Sequence, residues 1–295
     1  MLRSAGIIVD IFVPFTHPKY GGLRDKVNTE VFMKRTIGLI AITVTLGYWH
    51  VALGQVSERV IDVPTRPGVT QRFLLVAPEK PKAAAILFAG GDGGLDIAQN
   101  GTIRYLRNNF LVRNRRLFAD RGLAVAVIDA PSDRQRLALK GFRQKPEHVA
   151  DVKAVIAWLR QQTNVPVWLV GTSRGTQSAA FIATELSVKE GGPDGLVLTS
   201  TILLDDNGRA VPEMPLEKVT IPVLVIHHEQ DGCKHCPFTA TLGLMKKLHE
   251  ARRKELVTFR GGENRGDPCE ALAYHGYNGL DKEVVGKIAD WMYLK

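Results

Sequence analysis

The segment that decides the fold is Val165-Pro-Val-Trp-Leu-Val-Gly-Thr-Ser-Arg-Gly175. Its apolar first half is typical of a buried strand, and the residues that follow Gly175 have the pattern of a helix. Between them lies Gly171-x-Ser173-x-Gly175, a sharp turn that holds the serine in a strained backbone conformation while the glycines let neighbouring chain pass closely. The pattern predicts that the Ser173 hydroxyl projects above the sheet, at the amino end of the next helix, as a nucleophile.

Apolar runs and helical patterns alternate on both sides of this turn. Runs rich in β-branched and aliphatic residues predict strands at 71–77, 83–88, 123–128, 165–170, 195–200, 222–227 and 255–259. Helical patterns predict helices at 110–120, 146–162, 174–186, 239–252 and 282–293. This alternation predicts an α/β domain, with a mostly parallel sheet and helices on both faces. The first strands, within 58–77, have no helix between them and should pair as a hairpin at one edge.

Residues 33–54 have the layout of a secretory signal peptide. Lys34 and Arg35 supply a positive start, 37–49 is an uncharged and mostly apolar stretch, and Ala52-Leu-Gly54 fits a cleavage site. The apolar stretch is shorter than the ~20 residues that a membrane span needs. We therefore expect an exported, periplasmic protein with no stable membrane span after processing. The alternative is an uncleaved signal that anchors the protein to the membrane.

Two further segments flank this signal. Residues 1–32 are an upstream extension to which the sequence assigns no role. No internal repeat or low-complexity tract divides residues 55–295, which we expect to form one domain.

The chain is basic, with 39 Lys and Arg against 30 Asp and Glu and a formal net charge of +9. A basic balance raises the question of a nucleic acid or an anionic membrane as partner. No nucleic-acid-binding motif is present, and the closest basic residues have the spacing of an exposed helix face: Arg113, Arg115, Arg116 and Arg121. We expect a small-molecule substrate and no nucleic-acid partner.

A serine hydroxyl needs a base and an acid that follow it in the chain in the order Ser, Asp or Glu, His. Asp231 follows the strand predicted at 222–227, on a loop at the carboxyl edge of the sheet. His275 follows the last predicted strand and precedes the terminal helix. We expect the His275 imidazole to accept the Ser173 proton while Asp231 fixes its tautomer and stabilises the imidazolium.

Other residues near the same edge are weaker candidates for these roles. Asp205 and Asp206 follow the preceding strand and are alternatives to Asp231, as is Glu229. His227 and His228 would have to act as base from a position before the acid, so a packed or supporting histidine is the better interpretation of both.

The glycine-rich loop after the strand at 83–88 is the candidate oxyanion hole. It reads Phe88-Ala-Gly-Gly-Asp-Gly-Gly94, and its glycines allow main-chain N–H groups to face a developing oxyanion. We expect donors from Gly91 and Asp92, together with the N–H of Arg174. The alternative is a turn that needs glycine for tightness alone, and a carboxylate at Asp92 is unusual beside an oxyanion.

The three cysteines all lie near the predicted acid and base: Cys233, Cys236 and Cys269. In an exported protein, a disulfide from Cys269 to Cys233 or Cys236 would tie the Asp231 loop to the His275 loop. The competing interpretation is a zinc site built from the C-x-x-C pair with His227 or His228. No second ligand pair has the expected spacing, so we expect no metal and no cofactor.

The order of strand, G-x-S-x-G, aspartate and histidine resembles the α/β-hydrolase superfamily, over residues 58–295. Five segments resemble small exported bacterial α/β hydrolases more closely: 87–94, 109–113, 129–134, 171–176 and 269–277. The resemblance implies the α/β-hydrolase fold and a Ser173, Asp231 and His275 triad. The length of residues 55–295 suits one such domain without a large lid domain. The resemblance also implies a Cys233–Cys269 disulfide that leaves Cys236 unpaired. Lys234-His-Cys236 departs from the pattern of that group.

These features predict a serine esterase that acts on a small or medium substrate. The stretch 129–145 is rich in Arg and Lys and should overhang the pocket, where it would attract an anionic substrate or remain a solvated loop. An amidase or peptidase would use the same triad. A ligand-binding protein that has lost catalysis is a further alternative, but the complete set of catalytic residues favours an enzyme.

Overall fold

The strands form a single sheet in the computed structural model, which describes residues 56–205 and 208–294. The strands are β1 Ser57–Pro64, β2 Thr70–Ala77, β3 Ala83–Phe88, β4 Leu123–Ile128, β5 Val167–Thr172, β6 Gly195–Thr199, β7 Val223–His228 and β8 Lys254–Phe259. Their order across the sheet is β1-β2-β4-β3-β5-β6-β7-β8. The upstream extension 1–32, the predicted signal peptide 33–54 and Asp206 lie outside the described residues.

The pairing confirms the mostly parallel sheet and its hairpin edge. β1 pairs antiparallel with β2, and β2 pairs antiparallel with β4. Every other neighbouring pair, from β4 through β3 to β8, is parallel. The carboxyl ends of β3, β5, β6, β7 and β8 therefore meet at one edge of the sheet, where the loops that carry the candidate catalytic residues begin.

The described helices are α1 Phe110–Arg113, α2 Arg115–Asp120, α3 Pro146–Thr163, α4 Gly175–Glu185, α5 Thr241–Lys247 and α6 Asp281–Tyr293. The helix predicted at 110–120 is broken at Asn114, whose side-chain amide donates to Phe110 O and to the Asp281 carboxylate. The helix predicted at 239–252 ends earlier, because the chain turns back so that Arg252 N–H bonds Thr220 O at 3.0 Å. Among the described residues, no helix is long and apolar enough to cross a membrane.

Both faces of the sheet are covered, which explains the continuous apolar runs of the central strands. In β3 every residue is buried. Ala84, Ile86 and Phe88 pack in the core shared with α3, α4 and α5. Ala85 and Leu87 pack in the core shared with α1, α2 and α6.

His148, in the first turn of α3, is a polar side chain enclosed in the first of these cores. Its ring lies 6.1 Å from the ring of Phe88 and 5.5 Å from that of Phe142. Neither ring nitrogen has a hydrogen-bond partner among the described residues. Burial, together with the nearby cations Arg143 and Arg66, lowers the pKa of His148 to about 3. The native state therefore holds this imidazole neutral.

We predict that His148→Leu reduces the acid sensitivity of the fold. In the unfolded chain a histidine has a pKa of about 6.5, so below that pH the unfolded state binds a proton that native His148 excludes. Between pH 7.5 and pH 5 the free energy of unfolding should fall about 2 kcal/mol further in the wild type than in the variant. Urea denaturation at both pH values measures this difference. An equal fall in the two proteins would show that His148 does not resist protonation.

Candidate active site

Ser173 occupies the turn between β5 and α4 with a left-handed backbone, at a φ of 52°. Its N–H donates to Thr199 O at 3.0 Å, which fixes the turn to the neighbouring strand. A Cβ built on Gly171 would lie 2.6 Å from Gly175 O, and one built on Gly175 would lie 2.0 Å from Phe88 O. Both glycines are therefore required by backbone contact, and the strained serine is held between them.

His275 and Asp231 meet across two loops at the carboxyl edge of the sheet. Nδ1 of His275 lies 2.9 Å from Oδ2 of Asp231, and both side chains are almost fully buried. Oδ1 of Asp231 accepts from the Cys233 N–H at 2.9 Å. A carboxylate on Nδ1 assigns the ring proton to that nitrogen and leaves Nε2 as the basic atom. Nε2 is buried and has no hydrogen-bond partner in the structure.

Ser173 and His275 line one cavity of about 760 Å³. The same cavity is lined by Cys269 and by two residues of the predicted oxyanion hole, Gly91 and Arg174. No hydrogen bond joins the Ser173 hydroxyl to His275 Nε2, and such bonds are often long before a substrate binds. The structure thus brings the predicted nucleophile and base to the wall of one cavity.

Three side chains that the sequence analysis did not assign to the site hold the His275 loop in place. Arg113 donates through Nη2 to Gly276 O at 2.6 Å and through Nε to Asp281 at 2.8 Å. Ser200 Oγ donates to His275 O at 2.7 Å, and the Tyr277 hydroxyl donates to Ile226 O at 2.8 Å. Arg113 was expected on an exposed helix face, but its side chain is largely buried. Its place in the segment 109–113 is the one signal that pointed to it.

The alternative acids are engaged elsewhere. Asp205 is paired with Arg174 at 3.0 Å and accepts from the Gln177 side chain at 2.8 Å. Glu229 is paired with Arg260 and accepts from Thr258 Oγ1.

The alternative bases are packed side chains. His227 Nε2 is bonded to Cys236 O at 2.8 Å and lies 3.6 Å from the Asp231 carboxylate. Burial lowers the pKa of His227, which favours a neutral ring. His228 stacks on Tyr274 with ring centroids 4.4 Å apart. Both rings therefore support the loops around Asp231 and His275.

The glycine loop after β3 runs beside the serine. A Cβ on Gly90 would lie 3.0 Å from Ser173 Cβ, so the loop approaches the predicted nucleophile closely at this glycine. Gly91 lines the cavity of Ser173, whereas Asp92 is exposed and lines a second cavity of about 700 Å³. The backbone N–H groups of Gly91, Asp92 and Arg174 donate no hydrogen bond to any described residue. Their role as donors to the oxyanion stays a prediction.

The basic stretch 129–145 lies elsewhere than expected. It contributes Lys140, Arg143 and Lys145 to the second cavity, and no described residue of the stretch lines the cavity of Ser173. One cause is Asp129, whose buried carboxylate accepts from the N–H groups of Leu95, Asp96, Ile97 and Ala130. The stretch is thereby fastened behind the glycine loop.

Cys233 and Cys269 form a disulfide, as the resemblance implied, and Cys236 is a buried free thiol. Burial raises the pKa of Cys236, whose Sγ lies 3.3 Å from Ser200 O. Ligand atoms of Cys233, Cys236 and His275 lie within 4.8 Å of one another. Zinc is bound by thiolates, but the Cys233 sulfur is held in the disulfide with Cys269. These side chains do not fit a zinc site.

Comparisons with known proteins concern the fold of the chain. No protein-family model matches the chain, and no curated protein matches it in sequence. Solved structures do match it. A cold-adapted esterase from an Arctic intertidal metagenomic library has a TM-score of 0.55 and 16% identity, covering 80% of this chain and 93% of that one. Dienelactone hydrolase from Anabaena variabilis has a TM-score of 0.55 and 18% identity, covering 82% of this chain and 100% of that one.

An α/β serine hydrolase homologue from Coxiella burnetii has a TM-score of 0.54 and 15% identity, covering 80% of this chain and 97% of that one. At such low identity the likeness concerns the fold. The chain has the α/β-hydrolase fold, as its sequence led us to expect.

We predict that the disulfide contributes about 4 kcal/mol to the free energy of unfolding, because it closes a loop with a sequence separation of 36. Urea denaturation of the oxidised and reduced protein measures this value. The double variant Cys233→Ala/Cys269→Ala should resemble the reduced protein and should not respond to reductant. A wild-type protein equally stable in both states would contradict the prediction.

Proposed function

We propose that this protein is a serine hydrolase that cleaves an ester bond in a small or medium-sized substrate, through a triad of Ser173, His275 and Asp231. The observation that carries the proposal is the 2.9 Å hydrogen bond between His275 Nδ1 and Asp231 Oδ2. It leaves Nε2 without a partner, and His275 and Ser173 line the same cavity. The esterases and hydrolases with similar folds support the proposal.

The first half of the reaction forms an acyl-enzyme. His275 Nε2 takes the Ser173 hydroxyl proton as Oγ attacks the acyl carbon, and Asp231 stabilises the imidazolium that results. As the tetrahedral intermediate collapses, His275 gives that proton to the departing alcohol. The second oxygen of Asp231 accepts from the Cys233 N–H, which holds the carboxylate in place beside His275.

The second half returns the serine. A water molecule attacks the acyl carbon while His275 again accepts the proton, and the carboxylic acid leaves as Ser173 regains its hydrogen. In both halves the oxyanion would accept hydrogen bonds from the N–H groups of Gly91 or Asp92 and of Arg174, which make no bond to described residues.

The cavity supports a substrate of limited size. Its volume of about 760 Å³ lies within the range of ~300–1,000 Å³ that is typical of small-molecule sites. Its lining mixes apolar side chains such as Leu106 and Ile202 with polar ones such as Asn108. Amides and peptides are the alternative substrates, because the same triad cleaves them.

Export is part of the proposal. The Cys233–Cys269 disulfide supports an oxidising compartment such as the periplasm, because cytosolic thiols are kept reduced. The predicted signal peptide at 33–54 would deliver the chain there, with cleavage after Gly54.

We predict that Ser173→Ala lowers kcat for ester hydrolysis by about 10⁴–10⁶-fold, because the triad acts as a unit. A fluorophosphonate should add once to the wild type, at Ser173, and not to the variant. Steady-state assays on a panel of esters, lactones and amides, with intact-mass spectrometry, measure both effects. The matched control is Ser57→Ala, which removes an exposed hydroxyl on the edge strand and should keep both activity and labelling.

Two results would contradict this assignment. A Ser173→Ala protein with wild-type rates would remove the nucleophile from the proposal. A folded wild-type protein that takes no fluorophosphonate and hydrolyses no member of the panel would favour a ligand-binding protein on the same fold.

We predict that Asp231→Asn lowers kcat by about 10³–10⁴-fold with little change in KM, because an asparagine favours the wrong histidine tautomer. Asp205→Asn breaks the pair with Arg174 but leaves His275 untouched, so its effect on kcat should be far smaller. Parallel kinetics on the two variants decide between the two acids. A larger loss in Asp205→Asn would transfer the role to Asp205.

A further inference from the structure

Arg143 is a buried cation that the triad does not use. Only 6% of its surface is exposed. Its guanidinium donates to three successive backbone carbonyls of the glycine loop, Ala89 O at 3.0 Å, Gly90 O at 3.4 Å and Gly91 O at 3.0 Å. A fourth bond, from Nη1 to Ser178 Oγ at 3.0 Å, fixes the other side of the fork to α4.

These carbonyl contacts determine where the N–H groups of the loop face. In a trans peptide unit the C=O of one residue and the N–H of the next have opposite directions. Carbonyls of Ala89, Gly90 and Gly91 that face Arg143 therefore turn the N–H groups of Gly90, Gly91 and Asp92 to the other side. These three N–H groups donate to no described residue, and Gly90 and Gly91 line the cavity of Ser173.

The loop is built to admit the guanidinium. Gly93 has a φ of 75°, and a Cβ there would lie 2.5 Å from Arg143 Nη2. The Leu139 N–H donates to Asp92 O at 2.8 Å, which ties the loop to the segment that carries Arg143. A glycine at 93 is thus required for Arg143 to reach the carbonyls.

We propose that Arg143 is the positioning residue of the oxyanion hole: its guanidinium binds the carbonyls of the glycine loop and so aims the loop's N–H groups at the oxyanion. This inference rests on the proposed serine-hydrolase function. Arg143 itself touches no substrate, because it lies behind the loop and does not line the cavity of Ser173.

An arginine suits this role better than a lysine. Its planar fork offers five N–H donors in fixed directions, whereas an ammonium offers a single point charge. Burial, reinforced by the nearby Arg174, lowers the pKa of Arg143 to about 9, so the side chain remains charged at neutral pH. That fixed charge also polarises the peptide units in the direction that favours a negative charge on the N–H side.

The test compares Arg143→Lys and Arg143→Met with the wild type and with a matched pair, Arg253→Lys and Arg253→Met. Arg253 also binds two backbone carbonyls, Trp291 O at 3.0 Å and Leu294 O at 2.9 Å. It precedes β8, at the opposite edge of the sheet from the site. The measurements are the melting temperature, kcat and KM for the best ester, and Ki for a trifluoromethyl ketone that forms an oxyanion on Ser173.

We expect Arg143→Met to lower kcat by about 10²-fold, as for the loss of one oxyanion donor. Ki for the ketone should rise by a similar factor, while KM changes little because ground-state binding is retained. Arg143→Lys should fall between this variant and the wild type. The Arg253 variants should change the melting temperature and leave kcat, KM and Ki as they are.

Folded Arg143 variants with wild-type kcat and Ki would overturn the inference, and so would a rise in KM alone. Should neither variant fold, Ser178→Ala decides: it removes one bond of the guanidinium from within α4 and should lower kcat and raise Ki by a few-fold. Unchanged values there would also overturn the inference. A wild type without esterase activity or Ser173 labelling would instead contradict the proposed function.

Discussion

The contact on which the active-site region depends is the close approach of Gly175 to the end of β3. A side chain at Gly175 would lie 2.0 Å from Phe88 O, so α4 can start beside β3 only because residue 175 has no Cβ. The same approach holds Ser173 at positive φ and brings the loop after β3 against it, with Gly90 at contact distance. The proposed nucleophile and the proposed oxyanion loop are thus positioned by one packing constraint between backbones, which no flexible side chain can relax.

The positions of the proposed acid and base depend on a second constraint, the parallel sheet itself. Because β5, β6, β7 and β8 end at the same edge, loops far apart in sequence meet there, and Asp231 reaches His275 across 44 positions of chain. Irregular loops have backbone groups that must find partners. Here the disulfide joins the two loops, and Ser200 Oγ donates a hydrogen bond to the carbonyl of His275. The position of the imidazole is therefore fixed at its backbone as well as at its ring.

The strands and the candidate triad could be predicted because their signals are local. A buried strand followed by G-x-S-x-G can be recognised within a short window. So can a strand followed by Asp231, and the segment after the last strand that contains His275. The break of the helix at Asn114 could not be predicted, because it depends on a bond to Asp281, far along the chain. The position of Arg143 could not be predicted either, because in the sequence it is one of several basic residues in a stretch that could be a solvated loop. Its partners are backbone carbonyls, and a carbonyl has no sequence signature.

The carbonyl partners of Arg113 and Arg143 change the interpretation of the chain's positive net charge. The net charge of +9 raised the question of an anionic partner, yet the guanidinium groups of Arg113 and Arg143 donate to carbonyls of the loops that carry His275 and Gly91. An arginine is suited to such work because one planar fork can hold two or three carbonyls at once and stays ionised when buried. Some of the basic residues of this chain therefore hold the loops of the candidate active site in place. A guanidinium that is buried against backbone carbonyls is not available for a direct ion pair with a polyanion, so not every basic residue in the composition offers such a contact.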